Sequence, residues 1–347
     1  MEQIISVGNR LIGKNQPCFV IAEAGVNHNG DKILAKRLID AAKNAGADAV
    51  KFQTWRTEDI LTKASKKAEY MDDSPESMYD LIKRLELTYE DFRELFVYAK
   101  EKGIMFLSTP DEIKSAEFLA ELGVAAIKIG SGAITDLRFL KGVAEKRLPV
   151  ILSTGMSSVE EIEDALEIFR NAGNEEIVLL HCTSNYPTSI RDVNLRAMLT
   201  LQSRFNSIVG YSDHTLDMAT PIAAVAMGAA VIEKHFTLDK NLEGPDHKAS
   251  LNPGEFGEMV DNIRRTETIL GSHEKKPTAG EIEMKKIIRR SIVAKENIPA
   301  GTRINEELIT FKIPGTGLQP KEKDKVVGRR AKRGILQDEI INLGDLE

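Results

Sequence analysis

The sequence predicts a (β/α)8 barrel followed by a small β-rich unit. Three observations predict it: eight short apolar runs between residues 18 and 235, amphipathic helical segments alternating with them, and glycine recurring where those helices end. The runs are 18–24, 47–53, 105–109, 125–129, 150–153, 177–181, 207–211 and 230–235. Their nearly continuous apolar character is that of strands buried on both faces. Helical periodicity covers 32–45, 89–102, 113–122, 158–172, 216–227 and 253–270, with Gly46, Gly103, Gly123, Gly173, Gly228 and Gly271 as stop signals. A doubly wound open sheet is the alternative, but no Gly-x-Gly-x-x-Gly follows the first run, as a dinucleotide site would want. The connection between Trp55 and Glu86 is unusually long for a βα loop and reads as a lid or substrate loop.

The expected division is a barrel over 1–271, a polar linker over 272–285 and a β-rich unit over 286–347, whose β-like pieces are 290–295 and 308–312. About 60 residues so poor in large apolar groups make a marginal core, so this unit is expected to pack on a neighbour. The 347 residues are 42% hydrophobic and 29% charged, with a formal net charge of −6. That balance offers no basic footprint for nucleic acid, and no apolar run has membrane length. Cys18 and Cys182 fall in buried runs and suggest no disulfide framework, and the start of the chain carries no export pattern, so a cytoplasmic protein is expected.

In a barrel of this class the chemistry lies at the C-terminal ends of the strands. Lys51 and Lys128 sit at or near such ends, where a buried ammonium needs an anion, and a bound phosphate or carboxylate would serve. Ser108, Thr109, Ser131, Ser153 and Thr154 add neutral donors at equivalent positions, while Gly130, Gly132 and Gly155 permit close backbone approach. Each alone could pair or cap locally; their recurrence at several strand ends argues for one anion site. His214 and His235 end neighbouring runs and could share one ion, suited to Mn²⁺, Co²⁺ or Zn²⁺ rather than Ca²⁺, with Asp213 and Glu233 expected to orient the rings. Glu23 faces the same mouth as an acid, a base or a positioning group, or else as a salt-bridge partner of Lys51. The loop 182–187 reads as substrate-facing, and Asp246 is placed to take sugar hydroxyls.

The strings Ile21-Ala-Glu-Ala-Gly-Val-Asn-His-Asn-Gly30, Val50-Lys-Phe-Gln53, Leu107-Ser-Thr-Pro110, Lys128-Ile-Gly-Ser-Gly132, Leu152-Ser-Thr-Gly-Met156, Tyr211-Ser-Asp-His-Thr215, Glu233-Lys-His-Phe-Thr237 and Gly244-Pro-Asp-His-Lys-Ala-Ser250 occur in this order along the chain. Together they resemble the sialic acid (N-acetylneuraminate) synthase family, which includes legionaminate and pseudaminate synthases. The tail, with Arg290-Ser-Ile-Val-Ala294 and Pro314-Gly-Thr-Gly317, resembles the family's antifreeze-like (SAF) module. The resemblance implies a metal-dependent condensation of phosphoenolpyruvate (PEP) with N-acetylmannosamine or a related N-acetylated amino sugar, giving N-acetylneuraminate and phosphate. N,N'-diacetyllegionaminate made from a 2,4-diacetamido-2,4,6-trideoxy sugar is the alternative, and a catalytically lapsed carbohydrate-binding barrel is another. It implies Mn²⁺, with Mg²⁺ or Co²⁺ as substitutes, held by His214 and His235. Lys51, Thr109, Lys128, Ser131, Ser153, Ser184 and Ser212 would hold PEP, Glu23, Lys51 and Gln53 would line the reacting centre, and Tyr186 and Asp246 would hold the sugar. A domain-swapped homodimer, its tail covering the partner's barrel mouth, is also implied. Three positions depart from the family pattern. Ala133 stands where an acidic residue is common, Ile313 where an arginine reaches the acylamino group, and Ser184 where some relatives carry asparagine.

Overall fold

A computed structural model describes residues 3–67 and 76–347. It divides into two compact units, Met1–Gly271 and Ser272–Glu347.

The first unit opens with an antiparallel hairpin, β1 (Ile4–Val7) and β2 (Arg10–Gly13). Eight parallel strands follow: β3 (Phe19–Gly25), β4 (Ala49–Thr54), β5 (Met105–Pro110), β6 (Ile127–Ile129), β7 (Val150–Ser153), β8 (Ile177–Cys182), β9 (Ile208–Asp213) and β10 (Val231–His235). Their hydrogen-bonded order is β5-β4-β3-β10-β9-β8-β7-β6, a nearly closed barrel with β5 beside β6 at the seam. The eight expected runs all become strands. β9 extends two residues beyond its expected end, so His214 follows the strand instead of closing it.

Strand alternation builds two cores and one site. Outward residues such as Val20, Val50, Leu152, Val209, Tyr211 and Ile232 pack against the helices. Inward residues Phe19, Ile21, Ala49, Leu107, Ile151, Val178, Leu180, Ile208 and Val231 fill the lower barrel, and Ile5, Val7 and Ile12 of the hairpin join them. Two to four residues further along most of the inward rows the chemistry changes. Glu23, Lys51, Thr109, Lys128, Ser153, Ser212 and Glu233 are polar or charged, yet buried. The packed lower layer therefore forms the floor of a polar mouth.

The helices follow local rules. Asp31 caps Lys32–Asn44 by accepting from the Ile33 amide, and Ala35, Leu38, Ile39 and Ala42 form its buried stripe. Capping boxes start Tyr89–Lys102, Val159–Asn171 and Pro253–Leu270. The helices Met78–Leu85, Leu137–Ala144 and Arg196–Phe205 were not expected, because their short apolar patterns run into loops. Of the long connection after β4, residues 68–75 lie outside the described residues, and its reading as a lid with them. Among the described residues no helix is long and apolar enough to cross a membrane.

The second unit pairs β11 (Ser291–Ala294) with β12 (Ile309–Lys312) antiparallel, around a cluster that includes Ile292, Ile298, Ile304, Val326, Ile335 and Ile341. One expectation needs correction. The linker 272–285 is not irregular throughout, since Ala279–Ile288 is helical and begins in a Thr278–Glu281 capping box. Its apolar residues Ile282, Met284, Ile287 and Ile288 are exposed, which is why no buried stripe announced it.

Candidate active site

Two lysines and two glutamates occupy the polar mouth. Lys51 Nζ lies 2.6 Å from Glu23 Oε2, 3.9 Å from Glu233 Oε2, and donates to Thr109 Oγ1 at 3.0 Å. Lys128 Nζ lies 3.6 Å from Glu233 Oε1 and donates to Ser153 Oγ at 2.7 Å. Glu233 thus stands between the two ammonium groups, with Ser212 donating to its Oε1 at 3.1 Å. Sequence reasoning gave Glu233 a role only toward the histidine rings. Its place two residues before His235 on the same strand face was the available signal.

Burial sets the charges. It pushes the Glu23 carboxyl up, against the pull of Lys51. Burial works the same way on Glu233, but Lys128 and Lys51 outweigh it and hold that carboxyl below its ordinary value. For Lys51, burial is overcome by Glu23 and Glu233, which keep the ammonium charged, whereas burial prevails at Lys128 and lowers it. Burial raises Glu23 and lowers Lys128, and an added anion would offset the burial of Lys128 and favour its charged form.

Glu23, Gln53 and Asp246 converge over the backbone of Gly25. Gln53 Nε2 donates to Glu23 Oε1 at 3.1 Å. A methyl group on Gly25, whose φ is +50°, would lie 3.2, 3.4 and 3.6 Å from Glu23 Oε1, Gln53 Nε2 and Asp246 Oδ2. Gly155 serves the other side, donating its amide to Ser131 Oγ at 2.9 Å, where a methyl group would collide with Ser184 Oγ. Ser131 also contacts Cys182 Sγ at 3.2 Å.

His214 and His235 face each other with ring centroids 5.5 Å apart, and Tyr186 lies 4.2 Å and 5.4 Å from them. His214 Nδ1 donates to the Thr183 carbonyl at 2.7 Å, so Nε2 carries the lone pair. His235 Nδ1 is buried without a hydrogen-bond partner, 3.5 Å from Asp246 Oδ2. Burial holds both imidazoles below their ordinary values and hence neutral, the form that binds metal. These properties fit a divalent ion held by two nitrogens. Among the described residues no group of three His, Cys, Asp or Glu could hold one, which leaves the other positions to substrate and water oxygens. The expected partners of the rings are corrected here: Glu233 turns to the lysines, and Asp213 points away to Lys234. The carbonyl of Thr183, which no side-chain pattern could reveal, orients His214 instead.

Asp111, exposed just beyond β5, was also missed, and its carboxyl lies within electrostatic reach of Lys51, Glu23, Glu112 and Lys128.

A model of the NeuB family matches residues 38–275, and a model of the SAF domain matches 289–347. The chain belongs to the NeuB family. Among its relatives, the N,N'-diacetyllegionaminic acid synthase of Legionella pneumophila is 49% identical, covering 92% of this chain and 91% of the relative. The human (Homo sapiens) N-acetylneuraminate-9-phosphate synthase is 38% identical over 96% of this chain and 93% of its own. The crystal structure of an N-acetylneuraminic acid synthetase from Leptospira borgpetersenii, in complex with citrate, superposes with a TM-score of 0.75 at 39% identity, over 82% of this chain and 95% of that one. The strand-end clusters thus belong to a NeuB barrel.

Proposed function

We propose that this NeuB family member is a PEP-dependent nonulosonate synthase, a transferase that forms a C–C bond between PEP and an N-acetylated amino sugar. The observation that carries the reading is the pair Lys51 and Lys128 around Glu233, ringed by Thr109, Ser153 and Ser212, with two neutral imidazoles alongside. The ammonium groups and hydroxyls bind the carboxylate and phosphate of PEP, with Ser131 and Ser184 beside Gly155 completing the anion site. Gln53 and Glu23 line the reacting centre, and Tyr186 and Asp246 hold the sugar chain. His214 and His235 would hold a divalent ion, Mn²⁺ in this reading, which when bound would polarise the sugar aldehyde.

PEP C3 attacks the aldehyde carbon, whose oxygen takes up a proton. Water adds at C2, and phosphate leaves by C2–O cleavage to give the 2-keto acid. Glu23, whose carboxyl burial holds toward the neutral form, is suited to donate that proton.

N-acetylmannosamine is the first acceptor reading. A second, the 2,4-diacetamido-2,4,6-trideoxy acceptor, is supported by the higher identity to the legionaminic acid synthase and by Ile313, which offers no charged side chain to the acylamino group. The test incubates metal-stripped protein with PEP, restores Mn²⁺, and follows phosphate release with each sugar. Release requiring both metal and one sugar supports the synthase and names the acceptor; no release with either points to a phosphorylated acceptor or to a lapsed carbohydrate-binding barrel.

The reading extends to a cytoplasmic protein and to a domain-swapped homodimer, the latter supported by the exposed Ile282, Met284, Ile287 and Ile288 of the helix Ala279–Ile288. A monomer in light scattering would remove it.

A further inference from the structure

Lys234 and Asp213 form an ion pair whose side chains are both fully excluded from water, and the condensation chemistry uses neither. They are register partners on β10 and β9. Strand alternation turns them away from the mouth, in line with the outward Ile232 and Tyr211 and opposite to Glu233 and His235. The pair therefore lies behind the wall that carries the two imidazoles.

Its hydrogen bonds bracket His214. Lys234 Nζ donates to Asp213 Oδ2 at 2.6 Å and to the Thr215 carbonyl, and Asp213 Oδ1 accepts from the Thr215 amide at 2.9 Å. The residues on either side of His214 are thus tied to the residue that precedes His235. Packing does not account for the arrangement, because apolar residues of similar volume commonly replace a buried ion pair at no loss of stability. What an ammonium supplies and a thioether does not is the bond to the Thr215 carbonyl and the charge that fixes Asp213.

We propose that Lys234 is a positioning residue which, through Asp213 and Thr215, holds His214 at the separation from His235 at which both imidazoles bind one divalent ion. The inference rests on the metal role proposed for those histidines.

The test compares the full-length native chain with the paired variant Lys234→Met/Asp213→Asn, which leaves no unpaired buried charge. Mn²⁺ binding is measured by equilibrium dialysis and the Mn²⁺ environment by electron paramagnetic resonance. The expected result is a Mn²⁺ dissociation constant raised about 10- to 100-fold with a changed spectrum, PEP affinity within about twofold of native, and kcat recovered at saturating Mn²⁺. Native Mn²⁺ affinity and spectrum in the folded variant would overturn the proposal. If the paired variant does not fold, Lys234→Arg, which keeps the charge but replaces the compact ammonium by a larger planar group, is measured instead: weakened Mn²⁺ binding supports the proposal and native binding overturns it. A native chain that binds no Mn²⁺ is a separate result, removing the metal role and this inference together.

Discussion

Replacement of Lys51 by alanine is expected to lower kcat/KM for PEP by about a thousandfold. Truncating one partner of a buried, hydrogen-bonded charge pair costs about 2–5 kcal/mol, and each ~1.4 kcal/mol is a factor of ten in rate. Lys51 is held three ways, by Glu23 at 2.6 Å, by Thr109 at 3.0 Å and toward Glu233 at 3.9 Å, so its ammonium is fixed within the anion site. The fold should survive, because burial already pushes Glu23 toward its neutral acid and the orphaned carboxyl can take up a proton. Steady-state kinetics with PEP varied, beside a thermal melt, checks both halves. A folded Lys51→Ala protein with native kcat/KM would remove the anion site from this end of the barrel.

His214→Ala is expected to abolish metal-dependent turnover, with a rate loss of at least about a hundredfold. Its Nδ1 is engaged by the Thr183 carbonyl, so the variant loses the oriented Nε2 lone pair and leaves His235 as the sole imidazole of the pair. The stability cost should be small, about 1 kcal/mol for one hydrogen bond. Mn²⁺ binding by the variant, measured alongside turnover, separates loss of the ion from loss of the fold. Native Mn²⁺ affinity in His214→Ala would assign the ion elsewhere.

Much of the site is legible in the sequence. Apolar runs ending in Glu, Lys, Ser or His forecast a barrel with chemistry at one end, because in parallel strands all C-terminal ends lie on one side. The structure gathers Glu23, Lys51, Gln53, Thr109, Lys128, Ser153 and Ser212 there, and brings Tyr186 and Asp246 to the two histidines. Other features depended on contacts that periodicity does not encode. Asp213 and Glu233 are alike as carboxylates next to or near a histidine, yet one lies behind the barrel wall and the other between two lysines. The helix Ala279–Ile288 carries its apolar residues exposed, so its sequence shows no core-facing stripe.

The sequence by itself determined the strand and helix order, the inward rows that turn from apolar to polar, and the residue types available at the mouth. These follow from local rules of alternation, capping and helix termination, which act over a few residues. The tertiary structure alone decided that Glu233 bridges Lys51 and Lys128, that a backbone carbonyl orients His214, and that Lys234 ties the His214 segment from behind. Lys51 and Glu233 are separated by most of the barrel's length in sequence. Only curling the sheet into a nearly closed barrel brings them within 3.9 Å, and burial at that meeting point then competes with their mutual attraction.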